Sequence, residues 1–303
     1  MDVNLRQVRA FVTVAQTGSF TRAAALLNLS QPALTVQIRR LEETLEARLI
    51  DRDSRNVGLT RLGRDLLPGF RRVLDDLDAV VRDTRERAAG RTGIVRVATL
   101  PSFAASLLPD VIAGFRAAHP RVAFQVRDVI AQRVLDLVRD EAVDLGIVGG
   151  AVADQAVEVL HATWDALHVV HPVGHPIGAV PRVTVEILSA YPLVLMDGAT
   201  SVRAIVDAAF LAAGRRPNAA CEATYMMTAV GMVRAGLGLT ILPGSAREIQ
   251  AEPGLRSRPI ADPGFARPVS LIKKAGRTLP VVSAQFSGVL RGAMPPGAGT
   301  QPP

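Results

Sequence analysis

Residues 18–35 constrain this chain more than any other part of its sequence. They read as two short helices joined by a tight turn, because Ser19 and Ser30 each occupy the N-cap position before a helical segment. The small residues 23–24 let the second helix cross the first closely, and Pro32 falls in a first helical turn, where its missing N–H costs nothing. This pattern is typical of a helix-turn-helix that binds DNA. A helical hairpin inside an enzyme is the alternative.

The second helix of the pair has an apolar and a polar side. Leu34, Ile38, Leu41 and Leu45 recur at helical spacing and predict a buried stripe. Polar side chains that can hydrogen-bond base edges or phosphates lie on or near the other face. The predicted DNA-binding residues of this segment are Ser30, Gln31, Pro32, Thr35 and Gln37.

A β-ribbon pattern follows over residues 48–60, with Arg52 and Arg55 expected to meet phosphate or the minor groove. Together with a first amphipathic helix that begins near Leu5, these elements resemble the DNA-binding domain of LysR-type transcriptional regulators. The resemblance is specific at motif level over residues 1–60 and extends to the whole chain in layout. Two positions depart from the family: Ile50 stands where phenylalanine is usual, and Val36 replaces a residue that is more often polar or basic.

Residues 61–89 predict a long amphipathic helix. One apolar stripe follows a four-three spacing and a second repeats every seven residues beside it. The first stripe consists of Leu66, Phe70, Val73, Leu77 and Val80, and the second of Leu67, Leu74 and Val81. Two stripes predict a helix that pairs with its twin and also covers the winged domain, with a long core helix of one globular domain as the alternative. The family resemblance implies a linker helix that dimerises, so residues 61–91 are assigned to the linker helix and hinge.

Beyond Gly93, strands and helices alternate, which predicts a parallel βαβαβ unit and then a second α/β unit from about residue 163. The predicted fold class is α/β overall, with an N-terminal all-α winged helix-turn-helix and linker helix and a C-terminal two-lobed α/β domain. The resemblance implies a periplasmic-binding-protein-like effector domain over residues 92–292. Lobe I then comprises 92–162 and 267–292, and lobe II comprises 163–266. Residues 293–303, rich in Pro and Gly, are predicted to be a disordered tail.

A two-lobed α/β module usually binds a small molecule between its lobes. Ser102 matches the family position whose hydroxyl receives an effector carboxylate, and a plain N-cap role is the alternative. The family's second hydroxyl-bearing position falls on Ala131, so a less acidic or more apolar effector is expected. Tyr225, Met226 and Met227 are expected to form either apolar wall or core. The predicted effector-binding residues are Thr99, Ser102, Ala131, Val148, Ser201, Val202 and Met227.

Charge and cysteine content agree with this assignment. The formal net charge is +7, and residues 1–64 contain ten arginines against six acidic residues. More than half of the excess positive charge is therefore in the predicted DNA-binding part. Cys221 is the only cysteine, which excludes an intramolecular disulfide and suits a reducing cytoplasm. No apolar run of secretory or membrane-spanning type occurs.

No catalytic or metal-binding pattern was found. The histidines of residues 161–175 lie on a predicted strand and a His-Pro turn, and the Gly-Leu-Gly of residues 236–238 follows a helix, the reverse of a dinucleotide loop. The sequence predicts a cytoplasmic LysR-type regulator that is not an enzyme and uses no cofactor or metal. Its expected partners are double-stranded DNA with an imperfectly palindromic operator, a small-molecule effector, further copies of itself as dimer or tetramer, and RNA polymerase; no membrane is expected. A two-lobed solute-binding or catalytic protein is the alternative, but it leaves residues 1–89 unexplained.

Overall fold

The computed structural model describes residues 3–53 and 56–294. They belong to two compact units, one ending at Glu86 and the other beginning at Arg87. The first unit contains α1 (Leu5–Thr17), α2 (Phe20–Leu26), α3 (Gln31–Thr44), β1 (Ile50–Asp53), β2 (Asn56–Leu59) and most of α4 (Arg61–Ala88). Strands β1 and β2 pair antiparallel, as the ribbon pattern predicts.

The helix-turn-helix consists of α2 and α3, and local backbone chemistry sets its boundaries. The Ser19 hydroxyl accepts a hydrogen bond from the N–H of Arg22, and Ser30 accepts one from Ala33, each at 3.3 Å. Both predicted N-caps are therefore confirmed. Asn28 adopts the left-handed conformation, with φ 52°, which Asn tolerates better than most residues. The turn thereby fixes where α3 begins.

The apolar stripe of α3 is buried as its periodicity predicts. Leu34, Ile38 and Leu41 are fully buried in one cluster with Phe11 of α1. Ala23 and Ala24 of α2 are buried in the same cluster. The rest of α3 stays accessible because the stripe alone contacts the core.

The first half of α4 packs on this core. The residues that contact it are Leu66, Leu67, Phe70 and Leu74. The Phe70 ring meets Phe11 edge to face, with centroids 5.9 Å apart. The prediction that this helix covers the winged domain is confirmed, and Phe70 belongs to the core of its own unit. Val73 and Val80 are 51% and 63% exposed, so the unpartnered apolar surface lies on the solvent side of α4.

The second unit is an α/β domain in which helices cover a mixed sheet. In chain order its elements are β3 (Gly93–Thr99), α5 (Pro101–Ala105), α6 (Leu107–Ala118), β4 (Val122–Asp128), α7 (Ala131–Arg139), β5 (Leu145–Gly149), β6 (Val157–Pro172), α8 (Val185–Leu188), β7 (Leu193–Met196), α9 (Ser201–Ala212), β8 (Ala219–Ala223), α10 (Met226–Arg234), β9 (Leu239–Pro243), β10 (Leu255–Pro259), β11 (Ala266–Lys274) and α11 (Val281–Ala293). Short 3-10 helices occur at Pro176–Ala179, Arg247–Ile249 and Pro263–Phe265.

The strand order across the sheet is β4-β3-β5-β11-β6-β9-β7-β8, with β10 also paired to β6. Strand β3 lies parallel to β4 and β5, which confirms the predicted βαβαβ unit. Strands β6 and β11 run antiparallel side by side and connect the first half of the domain to the second. Both strands are longer than the sequence pattern indicates. Their ends are stabilised by pairing with each other, and no alternation of apolar and polar residues marks these ends in the sequence.

Separate apolar cores lie in the two halves of this domain. Val95, Ile147 and Phe286 belong to one core of the first half, whereas Val169, Leu195 and Phe210 belong to the core of the second. This arrangement gives two lobes joined through β6 and β11. None of the helices in the described ranges is long and apolar enough to cross a bilayer.

Candidate functional site

The beginning of α3 presents polar groups at the surface of the first unit. Gln31 and Pro32 are exposed, and Thr35 is partly exposed one turn later. The Thr21 hydroxyl of α2 donates to the Gln31 side-chain oxygen at 3.3 Å, and the Thr35 hydroxyl donates to the Gln31 carbonyl at 3.0 Å. The hydrogen bond from Thr21 therefore orients the Gln31 side chain, and the amide of that side chain can still form hydrogen bonds with a further partner.

The other predicted DNA-binding residues are distributed around this end of the unit. Ser30 is exposed and caps α3, and Gln37 is half-buried further along the helix. Arg52 lies on β1, whereas Arg55 lies outside the described residues. The structure thus brings Ser30, Gln31, Pro32 and Thr35 together at one helix end, and their contact with DNA remains a prediction.

A cavity of about 740 Å³ opens between the two lobes of the second unit. Its walls come from the segment leading into α5, from the end of β4 and the start of α7, from the end of β7, and from the first residues of α9 and α10. Glu248 and Arg267 complete the wall. A pocket at the carboxyl ends of strands and the amino ends of helices is the usual ligand position in an α/β fold.

The predicted effector residues divide into two groups. Ala131, Ser201, Val202 and Met227 line the cavity, and so do Tyr225 and Met226. Thr99, Ser102 and Val148 are buried and are not part of the described wall. The hydroxyl of Ser102 faces the Arg267 guanidinium, at 2.9 Å from its Nη2 atom. Through this hydrogen bond Ser102 helps to position Arg267, which does line the cavity.

Arg267 is the principal residue that the sequence analysis missed. It lies on β11 directly opposite Asp165 of β6, is only 2% exposed, and forms an ion pair with that carboxylate at 2.6 Å. Ser245 donates a hydrogen bond to the same carboxylate at 2.7 Å. Burial lowers the pKa of Arg267 below its ordinary value, and the adjacent Asp165 counteracts that effect. No sequence motif marks this pair, because the partners are separated by about a hundred positions and meet only through strand pairing.

The helix ends around the cavity favour negative charge. The N-cap positions of α7 and α10, Ile130 and Tyr225, provide no side-chain hydrogen bond to the first N–H groups, whereas Thr200 caps α9. Uncapped N–H groups and the helix dipole together attract an anion or a hydrogen-bond acceptor. Arg133, in the first turn of α7, lines the same wall. The arrangement can therefore hold a polar acceptor group of a ligand.

The histidine-rich segment does not form a metal centre. His168 and His171 lie on β6, and only His171 is buried. The rings of His171 and His175 are 6.2 Å apart. Among the described residues, no group of three or more His, Cys, Asp or Glu side chains could hold a metal ion.

The two units define a class of protein. One unit contains a DNA-binding helix-turn-helix, and the other is a separate α/β domain with a cleft for a small molecule. Two family models match the chain, the bacterial regulatory helix-turn-helix protein of the lysR family over residues 5–64 and the LysR substrate binding domain over residues 88–295. The chain is 32% identical to the HTH-type transcriptional regulator YfeR of Shigella flexneri, covering 96% of this chain and 94% of YfeR. It is 31% identical to the Hca operon transcriptional activator HcaR of Escherichia coli, covering 80% and 82% respectively. The protein belongs to the LysR family and is a LysR-type transcriptional regulator.

The fold agrees with solved structures of the family. Full-length CbnR in complex with its target DNA superposes with a TM-score of 0.76 at 23% identity, covering 96% of this chain and 99% of CbnR. At that identity the similarity shows the shared fold. The predicted fold class, with its helix-turn-helix and two-lobed α/β domain, is therefore confirmed.

Proposed function

We propose that this regulator binds an imperfectly palindromic operator through α3 and through the wing formed by β1 and β2. We further propose that it changes transcription when a small molecule occupies the cavity between its lobes. The observation that carries the proposal is the position of the cavity, which takes wall residues from both lobes, Ala131 from one and Val202 from the other. A ligand that contacts both lobes has different affinities for different lobe arrangements, which is what a switch requires.

Replacement of Gln31 by alanine is expected to weaken operator binding by about 1–3 kcal/mol and to relax the preference at one base pair. Gln31 is exposed at the start of α3, so the change leaves the core intact. Arg55→Ala provides the contrast: loss of a phosphate contact should weaken all DNA sequences alike and lower the salt slope by about 1. Fluorescence anisotropy with operator variants over a salt titration measures both effects. Wild-type affinity of both variants throughout that titration would remove these residues from the interface.

Two copies of the winged unit are needed to bind two half-sites of a palindrome. The exposed Val73 and Val80 lie on the same side of α4, seven residues apart, and suit pairing with the same helix of a second chain. The similarity to full-length LysR regulators supports an oligomer, and a dimer or a tetramer fits this stripe.

The variant Val80→Glu is expected to dissociate the oligomer, because a pair of helices would bury an unpaired carboxylate at their seam. Val80 is a sharper probe than Phe70, because Phe70 supports the core of the winged unit. Arg82→Glu introduces the same carboxylate two residues further on, on the opposite and exposed side of the same helix, so it is the matched control and should keep the wild-type mass in sedimentation velocity. A Val80→Glu protein that keeps the wild-type mass at micromolar concentration would contradict pairing through this stripe.

Filling the cavity tests the effector site. Ala131→Phe is expected to reduce the ligand-dependent change in promoter activity by about ten-fold or more while operator affinity without ligand stays unchanged, because the cavity lies in a different unit from α3. Ala117→Phe, on the exposed face of α6, is the control for the added ring. A full response in the Ala131→Phe protein, measured with a reporter fused to its own promoter, would exclude this cavity as the effector site.

The remaining parts of the proposal follow from operator binding. A regulator that alters transcription at its operator acts on RNA polymerase and works in the cytoplasm, where bacterial DNA lies. We assign no enzymatic activity to the chain, in line with its relatives, which are named as transcriptional regulators.

A further inference from the structure

The polar wall of the cavity contains acidic and basic side chains in equal number. Arg133 and Arg267 are its arginines, and Asp128 and Glu248 are its carboxylates. The charge of Arg267 is already balanced by Asp165 behind it. The side chains therefore give the cavity no positive excess that would favour a purely anionic ligand.

Two residues of this wall each contain a buried polar atom that has no hydrogen-bond partner within the described part of the chain: Oε2 of Glu248 and Nε of Arg267. An unsatisfied buried acceptor or donor costs about 1–3 kcal/mol, more for a charged group, so each favours a ligand that supplies the complementary group. Glu248 requires a donor, whereas Arg267 and the uncapped ends of α7 and α10 require an acceptor. These requirements are opposite in sign and occur in one cavity.

We propose that the effector is a zwitterion with an apolar body, in which Glu248 accepts hydrogen bonds from an ammonium group and the helix ends together with Arg267 receive a carboxylate. The proposal rests on the proposed function of the cavity as the effector site. The rest of the wall is apolar and includes Val129, Ile130, Met196, Val202 and Met226. This chemistry is that of an amino acid with an apolar side chain.

Desolvation at the same wall raises the pKa of Asp128 above its ordinary value, and within the described ranges this second carboxyl group forms no ion pair. Ala131 adds to the argument, because it offers no hydroxyl where the family resemblance implies one for a carboxylate. With fewer donors for the anion, a second polar contact at the other end of the ligand has more weight in recognition.

A matched set of probes tests the proposal on the full-length protein by calorimetry. L-phenylalanine carries both charged groups, 3-phenylpropanoate lacks the ammonium group, and 2-phenylethylamine lacks the carboxylate; L-leucine, 4-methylpentanoate and 3-methylbutylamine form an aliphatic set. In at least one set the zwitterion should bind about ten-fold or more tightly than either of its analogues. In Glu248→Gln the zwitterion should no longer bind more tightly than its carboxylate analogue. Glu158→Gln, in the same unit and outside the cavity wall, is the control and should preserve the difference.

The outcomes separate the two proposals. Equal binding of the zwitterion and its carboxylate analogue, unaffected by Glu248→Gln but lost in Ala131→Phe, overturns the zwitterion and leaves the cavity as the effector site. Binding that persists in Ala131→Phe overturns the cavity as the site itself. Absence of saturable binding by every member of both sets overturns the assignment of an apolar amino acid.

Discussion

Replacement of Arg267 by methionine is expected to destabilise the second unit by about 3–5 kcal/mol, because it leaves the carboxylate of Asp165 buried without its cation. Asp165 is only 9% exposed, and in the described part of the chain the hydroxyl of Ser245 is the hydrogen-bond donor that its carboxylate keeps in the variant. Trp164 is the only tryptophan of the chain and precedes Asp165 on β6. Its fluorescence during urea denaturation therefore measures this unit selectively.

Two controls distinguish a buried charge from lost packing at this site. The double variant Arg267→Met with Asp165→Leu should recover most of the stability, because an apolar pair can replace a buried ion pair at little cost. Lys274→Met removes a cation from the same strand at an exposed ion pair with Glu141 and should change stability by about 1 kcal/mol at most. A double variant no more stable than Arg267→Met alone would show that packing dominates.

Substitution of Gly63 by alanine is expected to destabilise the winged unit by about 3 kcal/mol and to abolish operator binding. A Cβ atom at this position would overlap the carbonyl oxygen of Leu49 and lie 3.1 Å from its carbonyl carbon. Both are backbone atoms, so the clash cannot be relieved by a side-chain rotation. The α4 helix would have to move away from the strand that follows Arg48.

Gly69 of the same helix is the matched control, because nothing lies within 4 Å of a Cβ at that position. Gly69→Ala should stabilise the helix by about 0.5–1 kcal/mol, through helix propensity alone. Hydrogen exchange of the α1 and α3 amides measures the winged unit, and Trp164 fluorescence should be unchanged in both variants. Equal stability of the two alanine variants would mean that α4 does not approach Leu49 closely in solution.

An ion pair between Arg247 and Asp110 joins the two lobes near Glu248. The guanidinium of Arg247 lies 4.0 Å from the carboxylate of Asp110 on α6, so the short 3-10 helix that carries Glu248 approaches the opposite lobe. The pair is largely exposed and contributes little stability. It does show that Glu248 lies beside a contact between the lobes, where a ligand can influence their arrangement.

Interactions between residues close in sequence determine the helices and the turn of the winged unit. The caps at Ser19 and Ser30, the left-handed turn at Asn28 and the stripe through Leu34 and Leu41 are short-range features, and short-range features can be identified in a sequence. The same holds for the βαβαβ unit of the second domain, whose strands are short apolar runs between amphipathic helices. For these elements the structure confirms the predicted fold.

Strands β8 and β10 were missed because their residues favour no strand. Strand β8 is an alanine-containing edge strand, and β10 carries two arginines and ends at Pro259, so pairing with β7 and β6 defines them. The length of β6 was missed for the same reason. Strand pairing is a property of the tertiary fold.

The sequence by itself determined the family, the helix-turn-helix and the general position of the cleft. Four of the predicted effector residues, Ala131, Ser201, Val202 and Met227, lie on the cavity wall, and their contact with an effector stays a prediction. Only the tertiary structure decided that Ser102 lies behind that wall and that Arg267, paired with Asp165, forms part of it. It alone decided that Glu248 lines the same cavity and that one of its carboxylate oxygens, Oε2, has no hydrogen-bond partner in the described chain. The physical reason is that motifs record local backbone chemistry, whereas the charge balance of a cleft depends on residues brought together by strand crossovers far apart in the chain.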